Sequence, residues 1–326
     1  MHWDGLPRRI VRRHESGECL TLDDYRRRYA QYKADPDLQA AHAAAAWLIS
    51  YDDHELHNNW AGGLPQDDVP PELFAFRRAA AMQAWYEHMP VRRAALPSGT
   101  AVRLYGRARY GDLADVHLLD TRQYRTDQPC GDGFKPHCAG VDDRAAQVTG
   151  ATQERWLADG LRASRARWQV IAQQVMVMPL DRRNDDRPAP IYNMDAWVGY
   201  EAPRERLLEL CRGRGDVVVL TGDEHQNFAG ELRTRRGEPA AVEFVGTSLS
   251  SGGDGRDRRA DYDRMMANNP FLKFKNDQRG YLLCEATPEL WTTRFRVLDQ
   301  VSTPGGAIAT RATATVERGR AAVAIN

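Results

Sequence analysis

The sequence contains few lysines, few cysteines and no long apolar run. Its positive charge is almost entirely arginine, since the only lysines are Lys33, Lys135, Lys273 and Lys275. The formal net charge at pH 7 is +0, so no overall field attracts an anionic polymer or membrane, and we expect no specific recognition of nucleic acid. No window approaches the roughly 18–20 apolar residues that a transmembrane helix needs, which predicts no membrane-spanning segment.

The start of the chain also lacks the apolar core of a secretory signal peptide, because residues 1–9 lead directly into charged sequence. The sequence as written therefore predicts a cytoplasmic location. The cysteine count is 5, and no pair has the C-x-x-C spacing of a zinc or redox motif. Cys130 and Cys138 flank a short loop, and the sequence leaves open whether they form a local disulfide or stay reduced.

The composition that remains is that of an ordinary globular protein, with 42% hydrophobic and 28% charged residues over 326 positions. Continuous apolar runs alternate with helical patterns, which is typical of strands buried on both faces. Helices are predicted over residues 21–50, 74–88, 153–164 and 203–212. Strands are predicted over residues 102–106, 116–120, 168–174, 217–220, 241–246, 280–285 and 291–297. Together they predict an α/β fold of the α+β type with a mixed sheet.

The first candidate site segment is residues 52–59, which concentrates ligand-type side chains in eight positions. It contains the carboxylates Asp52, Asp53 and Glu55, the imidazoles His54 and His57, and the amides Asn58 and Asn59. Hard cations bind carboxylate and amide oxygens, whereas imidazole suits borderline metals and proton transfer. A polar turn is the alternative interpretation, but the density of these side chains favours a metal site.

The second candidate segment follows the apolar run 217–220. Gly222 permits a tight turn, and Asp223 and His225 are two residues apart, so both can face one metal pocket if the backbone is extended. Ligands bind at the carboxyl ends of strands in open α/β sheets. With residues 52–59, this segment predicts a two-metal hydrolase, in which the metals hold a phosphate and activate a water.

These segments resemble the PhoD-type alkaline phosphatases. Residues 52–60, Asp-Asp-His-Glu-Leu-His-Asn-Asn-Trp, are similar to the family's first motif, with Tyr51 in place of its tryptophan. Residues 221–227, Thr-Gly-Asp-Glu-His-Gln-Asn, are similar to its second, with Glu224 where valine is usual. Further blocks follow the family's order at residues 119–125, 193–200, 244–253, and 269–270 leading to 279–281.

The resemblance implies a calcineurin-like metallophosphoesterase core, with two packed mixed β-sheets flanked by helices, over residues 1–326. It implies hydrolysis of phosphate monoesters and diesters, small or polymeric, at a centre of divalent and trivalent metals, calcium and iron. It also implies export by a twin-arginine signal. The implied metal ligands are Asp52 or Asp53, Asn58 or Asn59, Asp223 and His225, and His54 is the implied phosphate-contacting acid.

The start of the chain departs from the family pattern. Members carry an N-terminal β-sandwich domain, an early cysteine ligand and a Gly-Asp-Tyr-x-Tyr block whose aspartate bridges metals. Here Arg8-Arg9 resembles sequence just downstream of that block, so we expect the first strands and the first metal-binding block to be missing. The alternative to an active enzyme is therefore a truncated, catalytically impaired homologue that retains metal or phosphate binding.

Three further residues are candidates for substrate contact. Arg122 and Tyr124 can bind a substrate phosphate, because guanidinium favours bidentate oxyanion contacts. A salt bridge from Arg122 to Asp120 at the end of a strand is an equally good interpretation. Asn193 can line the mouth of the cleft. A serine-nucleophile hydrolase is not supported, because no G-x-S-x-G pattern is present.

Overall fold

The computed structural model describes residues 12–184 and 188–326, and its centre is a seven-stranded mixed sheet. The helices are α1 (Leu22–Lys33), α2 (Pro36–Ala44), α3 (Pro71–His88), α4 (Gly150–Ala163), α5 (Glu201–Cys211) and α6 (Tyr262–Asn268). The strands are β1 (Gly106–Tyr110), β2 (Ala114–Leu118), β3 (Phe134–Lys135), β4 (Trp168–Gln173), β5 (Tyr192–Asn193), β6 (Val217–Thr221), β7 (Asn227–Arg233), β8 (Pro239–Val245), β9 (Leu272–Asn276), β10 (Gly280–Ala286), β11 (Leu290–Leu298), β12 (Ile308–Glu317) and β13 (Ala324–Ile325).

The seven-stranded sheet has the order β1-β2-β4-β6-β8-β7-β9. Strands β2, β4, β6 and β8 run parallel, whereas β1, β7 and β9 each pair antiparallel with their neighbours. The carboxyl ends of the four parallel strands therefore lie along one edge of the sheet. Residues 119–125, 222–225 and 246–253, which the sequence singled out, all emerge from that edge.

A second sheet packs against one face of the first. Its order is β10-β11-β12-β13, and all of its pairs are antiparallel. Alternate residues of β4, such as Trp168 and Val170, point into the interface and meet Trp291 and Phe295 of β11. The indole rings of Trp168 and Trp291 lie edge to face with centroids 5.9 Å apart, an arrangement that adds to their area burial.

Helices α4 and α5 cover the opposite face of the large sheet. Leu157 and Leu161 of α4 and Leu207 of α5 pack on Ile171 and Val219, which point away from the second sheet. Burial on both faces is why β4, β6 and β8 have continuous apolar sequences. The prediction of two packed sheets flanked by helices is confirmed, although the smaller sheet is antiparallel rather than mixed.

The amino-terminal helices form a third core with the segment around residues 51–60. Tyr25 of α1 and Trp85 of α3 pack there with Tyr51 and Trp60. Thr21 caps α1 in a capping box with Asp24. This core fixes the position of the first candidate site segment relative to the sheet.

The prediction of one helical region over residues 21–50 is wrong at two places. The first helix ends at Lys33, and Asp35 caps α2, because Pro36 has no N–H to continue an existing helix but fits a first turn. Helix α2 ends at Ala44 despite the alanine run, and Trp47 folds back so that its indole Nε1 donates to the carbonyl of Ala41 at 3.2 Å.

Other boundaries differ where tertiary pairing decides them. A strand was predicted at residues 102–106, but β1 spans Gly106–Tyr110. The turn at Gly111 pairs Tyr110 with Ala114, and the pairing then continues back to Gly106, which lies opposite Leu118. Strands β7, β9 and β12 lack the apolar pattern that identified their neighbours. Residues 192–193, for which the sequence predicted neither helix nor strand, form β5, which pairs with β3. Residues 185–187 lie outside the described part of the chain. Among the described residues, no helix is long and apolar enough to span a membrane.

Candidate metal centre

The first candidate segment folds around the buried carboxylate of Asp53. The backbone N–H of His54 donates to Asp53 Oδ1 at 2.8 Å, and that of Asn59 donates to Oδ2 at 3.1 Å. The N–H groups of Leu56 and His57 both donate to the Asp53 carbonyl at 2.8 Å. These bonds close residues 53–59 into a compact loop between α2 and α3, with the Asp53 carboxylate at its centre.

Three of the predicted ligands adopt a left-handed backbone. Among the described residues, the non-glycine positions with positive φ are Asn59 (47°), Asp223 (64°) and His225 (53°). Such conformations are uncommon outside glycine and are held only where the surrounding structure requires them, which is often at functional sites. The extended backbone that would let Asp223 and His225 face one pocket is therefore not present, because both residues adopt left-handed conformations.

The two segments bring three carboxylates together beyond the parallel strands. One oxygen each of Asp52, Asp53 and Asp223 lies within 4.8 Å of the others. Asp53 is almost fully buried, whereas Asp52 and Asp223 keep partial access to solvent. A cluster of this size matches the space that carboxylates leave for multivalent cations.

Arg122 lies at the centre of these carboxylates. Its Nε donates to Asp52 Oδ1 at 2.7 Å, and its Nη2 donates to Asp223 Oδ1 at 3.2 Å and lies 3.9 Å from Asp53 Oδ1. Its Nη1 donates to Asp195 Oδ2 at 2.7 Å. The side chain is 1% exposed. The predicted salt bridge to Asp120 is wrong, because Asp120 instead accepts the backbone N–H groups of Arg122 and Gln123.

Asp195 is a member of the cluster that sequence reasoning missed. Its Oδ1 accepts from Arg125 and, at 2.8 Å, from Gln128 Nε2. Burial alone would raise its pKa, but attraction to Arg122 and Arg125 lowers that pKa to about 2. No apolar strand precedes Asp195, so the strand-end rule that located Asp223 could not locate it. The only sign of a site role in the sequence was its position in the family-like block 193–200.

The electrostatics of the cluster favour a bound cation. Four carboxylates face two guanidinium groups, those of Arg122 and Arg125, so the fully ionised cluster has two uncompensated negative charges. Burial, and then the neighbouring Asp52, raise the pKa of Asp223 well above its usual range. A multivalent cation relieves the same repulsion by direct coordination.

Two histidines border the carboxylates. The ring centroids of His54 and His225 are 6.4 Å apart, and His54 Nε2 lies 3.7 Å from Asp53 Oδ2. Burial, together with His54 and Arg279, lowers the pKa of His225, which favours the neutral imidazole that coordinates metals. The His54 side chain is 49% exposed and therefore accessible to a ligand.

The two predicted substrate contacts lie in different surroundings. The Oδ1 of Asn193 accepts the backbone N–H of Asp195 at 3.1 Å, which places Asn193 beside the cluster. Tyr124 packs edge to face on Tyr105, with ring centroids 5.8 Å apart. Burial raises the pKa of Tyr124 to about 12, so its hydroxyl remains a donor at neutral pH. Both substrate roles stay predictions.

A metal fits these residues by the chemistry of the donors. Carboxylate oxygens of Asp52, Asp53 and Asp223 suit hard cations. His225 lies outside that group of three, and its role as a ligand for a borderline metal stays a prediction. A family model described as PhoD-like phosphatase matches residues 3–295. The chain belongs to the PhoD-like phosphatase family.

Two relatives extend that assignment. Alkaline phosphatase D of Bacillus subtilis (strain 168) is 45% identical over 308 residues, which cover 93% of this chain and 52% of the relative. A solved structure described as the structure of PhoD matches with a TM-score of 0.93 and 43% identity, covering 97% of this chain and 61% of the other. The chain thus spans about half the length of its curated PhoD-like relative.

Proposed function

We propose that this PhoD-like chain hydrolyses phosphate monoesters and diesters at a metal centre built on Asp52, Asp53 and Asp223. The observation that supports this most directly is the approach of the three carboxylates to within 4.8 Å at the carboxyl edge of the parallel strands. The relative's description as an alkaline phosphatase supports the same class of substrate. Small and polymeric phosphate esters both fall within the proposal.

The proposed ligands are the three carboxylates, His225, and the amide oxygens of Asn58 and Asn59. Calcium and iron are the metals we propose, because oxygen donors suit calcium and the added imidazole suits iron. When bound, such metals supply Lewis-acid stabilisation of phosphoryl oxygens and lower the pKa of a coordinated water. We propose that residues 1–326 form one PhoD-like metallophosphatase domain.

His54 is the residue we assign to the substrate side of the centre. Its exposed ring lies beside His225 and within 3.7 Å of the Asp53 carboxylate, which orients the imidazole. From there it can donate a proton or a hydrogen bond to a phosphate oxygen or to the leaving group. Tyr124 and Asn193 remain candidates for contacts farther along the substrate.

In this proposal Arg122 does not bind the substrate phosphate, because its guanidinium is already paired with carboxylates. Each of its three nitrogens faces a carboxylate, and the side chain has almost no exposed surface. We therefore assign it to holding Asp52, Asp195 and Asp223 in position and to balancing their charge. A substrate phosphate reaches the guanidinium only if one of these pairs opens.

The test combines metal analysis with turnover of a bis-aryl phosphate. We expect Asp223→Asn, which keeps the side chain's size and its tolerance of positive φ, to reduce bound metal and abolish turnover. His54→Ala should retain metal and lose about 100-fold or more in kcat, as expected for loss of a general acid.

Asp159→Asn, on the exposed face of α4, is the matched control for loss of one carboxylate and should behave as the unaltered chain does. Full turnover by correctly folded Asp223→Asn would contradict the assignment. Metal binding without turnover by the unaltered chain would instead favour a homologue that binds metal or phosphate but is catalytically impaired.

A further inference from the structure

The loop between Cys130 and Cys138 reaches the candidate metal centre through one side chain. Asp132 accepts two contacts from the amide Nδ2 of Asn59, at 2.9 Å to each carboxylate oxygen. It also accepts from the amide Nε2 of Gln66. Asp132 lies outside both sequence motifs and 73 residues from Asn59.

An ionised carboxylate accepts hydrogen bonds and cannot donate them, so Asp132 determines which way each neighbouring amide points. Asn59 must turn its NH₂ group toward Asp132, and its Oδ1 then faces away. The backbone of Asn59 is fully engaged, because its N–H donates to Asp53 and its carbonyl accepts from Arg125 and Gln128. The side-chain oxygen is the remaining donor atom that Asn59 can offer to a metal.

The same logic extends to Asn58 through Gln66. Since Gln66 presents its NH₂ group to Asp132, its Oε1 faces Asn58 and accepts from the Nδ2 of that residue. Asn58 therefore directs its NH₂ group toward Gln66, and its Oδ1 points the other way. One carboxylate fixes the orientation of both adjacent asparagines, between which the sequence could not choose.

The fold holds Asp132 firmly enough for this task. A disulfide joins Cys130 to Cys138, which decides the alternative that the sequence left open. The backbone N–H of Gly133 donates to Asp132 Oδ1 at 2.6 Å, and the N–H of Met194 donates to the Gly133 carbonyl at 3.0 Å. Strand β3 then pairs with β5, so the loop is tied to the segment that carries Asp195.

We propose that Asp132 is a positioning residue of the metal centre, which orients the amides of Asn58 and Asn59 so that their oxygens face the cation. This role rests on the proposed metal centre. Partners of this kind fix the orientation of metal ligands, and their loss typically weakens metal binding by about 10- to 100-fold.

The experiment measures Ca²⁺ binding by calorimetry for the unaltered chain and for Asp132→Asn. An amide at position 132 has nearly the same shape but can donate, so it no longer forces the Asn59 NH₂ group toward itself. We expect Ca²⁺ affinity to fall by about 10-fold or more while the unfolding midpoint in chelator stays close to that of the unaltered chain. Asp159→Asn again controls for the loss of one negative charge.

A second substitution separates orientation from general damage. In Asn59→Asp the two side-chain oxygens are equivalent, so orientation no longer matters, but the new carboxylate faces Asp132 and should weaken folding and binding. In the double variant Asn59→Asp/Asp132→Asn, the amide at 132 donates to the carboxylate at 59, and Ca²⁺ affinity should recover.

The possible results are distinguishable. Unchanged affinity in Asp132→Asn, or no recovery in the double variant, overturns the positioning role and leaves the metal centre standing. An unaltered chain that binds no Ca²⁺ overturns the calcium centre and the positioning role together. Weakened binding in Asp132→Asn with recovery in the double variant supports both.

Discussion

Replacing Arg122 by methionine should destabilise the metal-free protein far more than the metal-loaded protein. The side chain makes charged hydrogen bonds to Asp52, Asp195 and Asp223 at 2.7, 2.7 and 3.2 Å. Methionine fills a similar volume but supplies no charge. The substitution therefore leaves buried carboxylates facing one another with only Arg125 to balance them.

The magnitude follows from the number of bonds and the cost of burial. Hydrogen bonds to charged groups contribute about 1.5–3 kcal/mol each, so three amount to roughly 5–9 kcal/mol before the desolvation of the guanidinium is subtracted. That desolvation costs several kcal/mol, and removal of one partner from a buried ion pair typically costs about 3–5 kcal/mol net. We expect a loss in this range for Arg122→Met in chelator.

Bound metal should reduce the loss, because a cation among Asp52, Asp53 and Asp223 replaces part of the missing charge. The difference between the two losses equals the change in the free energy of metal binding to the folded chain. We expect that difference to be at least about 1.4 kcal/mol, which corresponds to about tenfold tighter binding by the variant.

The assay is urea unfolding followed by tryptophan fluorescence, in chelator and in excess Ca²⁺, at one pH and under oxidising conditions. Arg162→Met on the exposed face of α4 is the matched control and should stay within about 0.5 kcal/mol of the unaltered chain. A loss below about 1 kcal/mol in chelator would refute the central role of Arg122. Equal losses in both conditions would refute the reasoning that bound metal replaces part of the charge of Arg122.

Two further predictions concern stability. Glu243, which accepts hydrogen bonds from Val177, Met178 and Thr221, has a pKa raised by burial from 4.5 to about 7. The folded chain therefore holds a proton that the unfolded chain has released, so the free energy of unfolding should fall by about 3 kcal/mol as the pH rises from 4.5 through 7. Glu243→Gln should flatten this slope in unfolding measurements across that range, and parallel slopes would contradict the reasoning. The disulfide closes a loop with a sequence separation of 8, so Cys130→Ser/Cys138→Ser should lower the free energy of unfolding by about 2.5 kcal/mol. Equal denaturant midpoints for the variant and the oxidised chain would count against that estimate.

The strands that sequence patterns located are those whose surroundings are uniform along their length. Strands β4, β6 and β8 are buried on both faces, so their apolar runs identify them without knowledge of their partners. Strand β7 is equally buried but contains Asn227, Gly230 and Glu231, whose partners lie on other segments. Its sequence therefore carries no pattern that a local rule detects.

The candidate site also contains residues that the sequence identifies and a choice that it leaves open. Asp52, Asp53, Asp223 and His225 are recognisable because ligand-type residues are concentrated in two short segments, one of which follows a buried strand. Local chemistry also supports the prediction that they form one centre, since the carboxyl ends of parallel strands share an edge. The choice between Asn58 and Asn59 is undecidable from sequence, because both are adjacent amides.

The sequence by itself thus determined the class of fold, the family and the types of side chain concentrated at the candidate site. Only the tertiary structure decided that Arg122 lies among the carboxylates, that Asp195 joins them and that Asp132 contacts Asn59. These contacts join residues between 70 and 101 positions apart. No local pattern encodes such pairs, because the charge that each side chain meets is set by how the sheet edge, the disulfide-closed loop and the amino-terminal helices pack together.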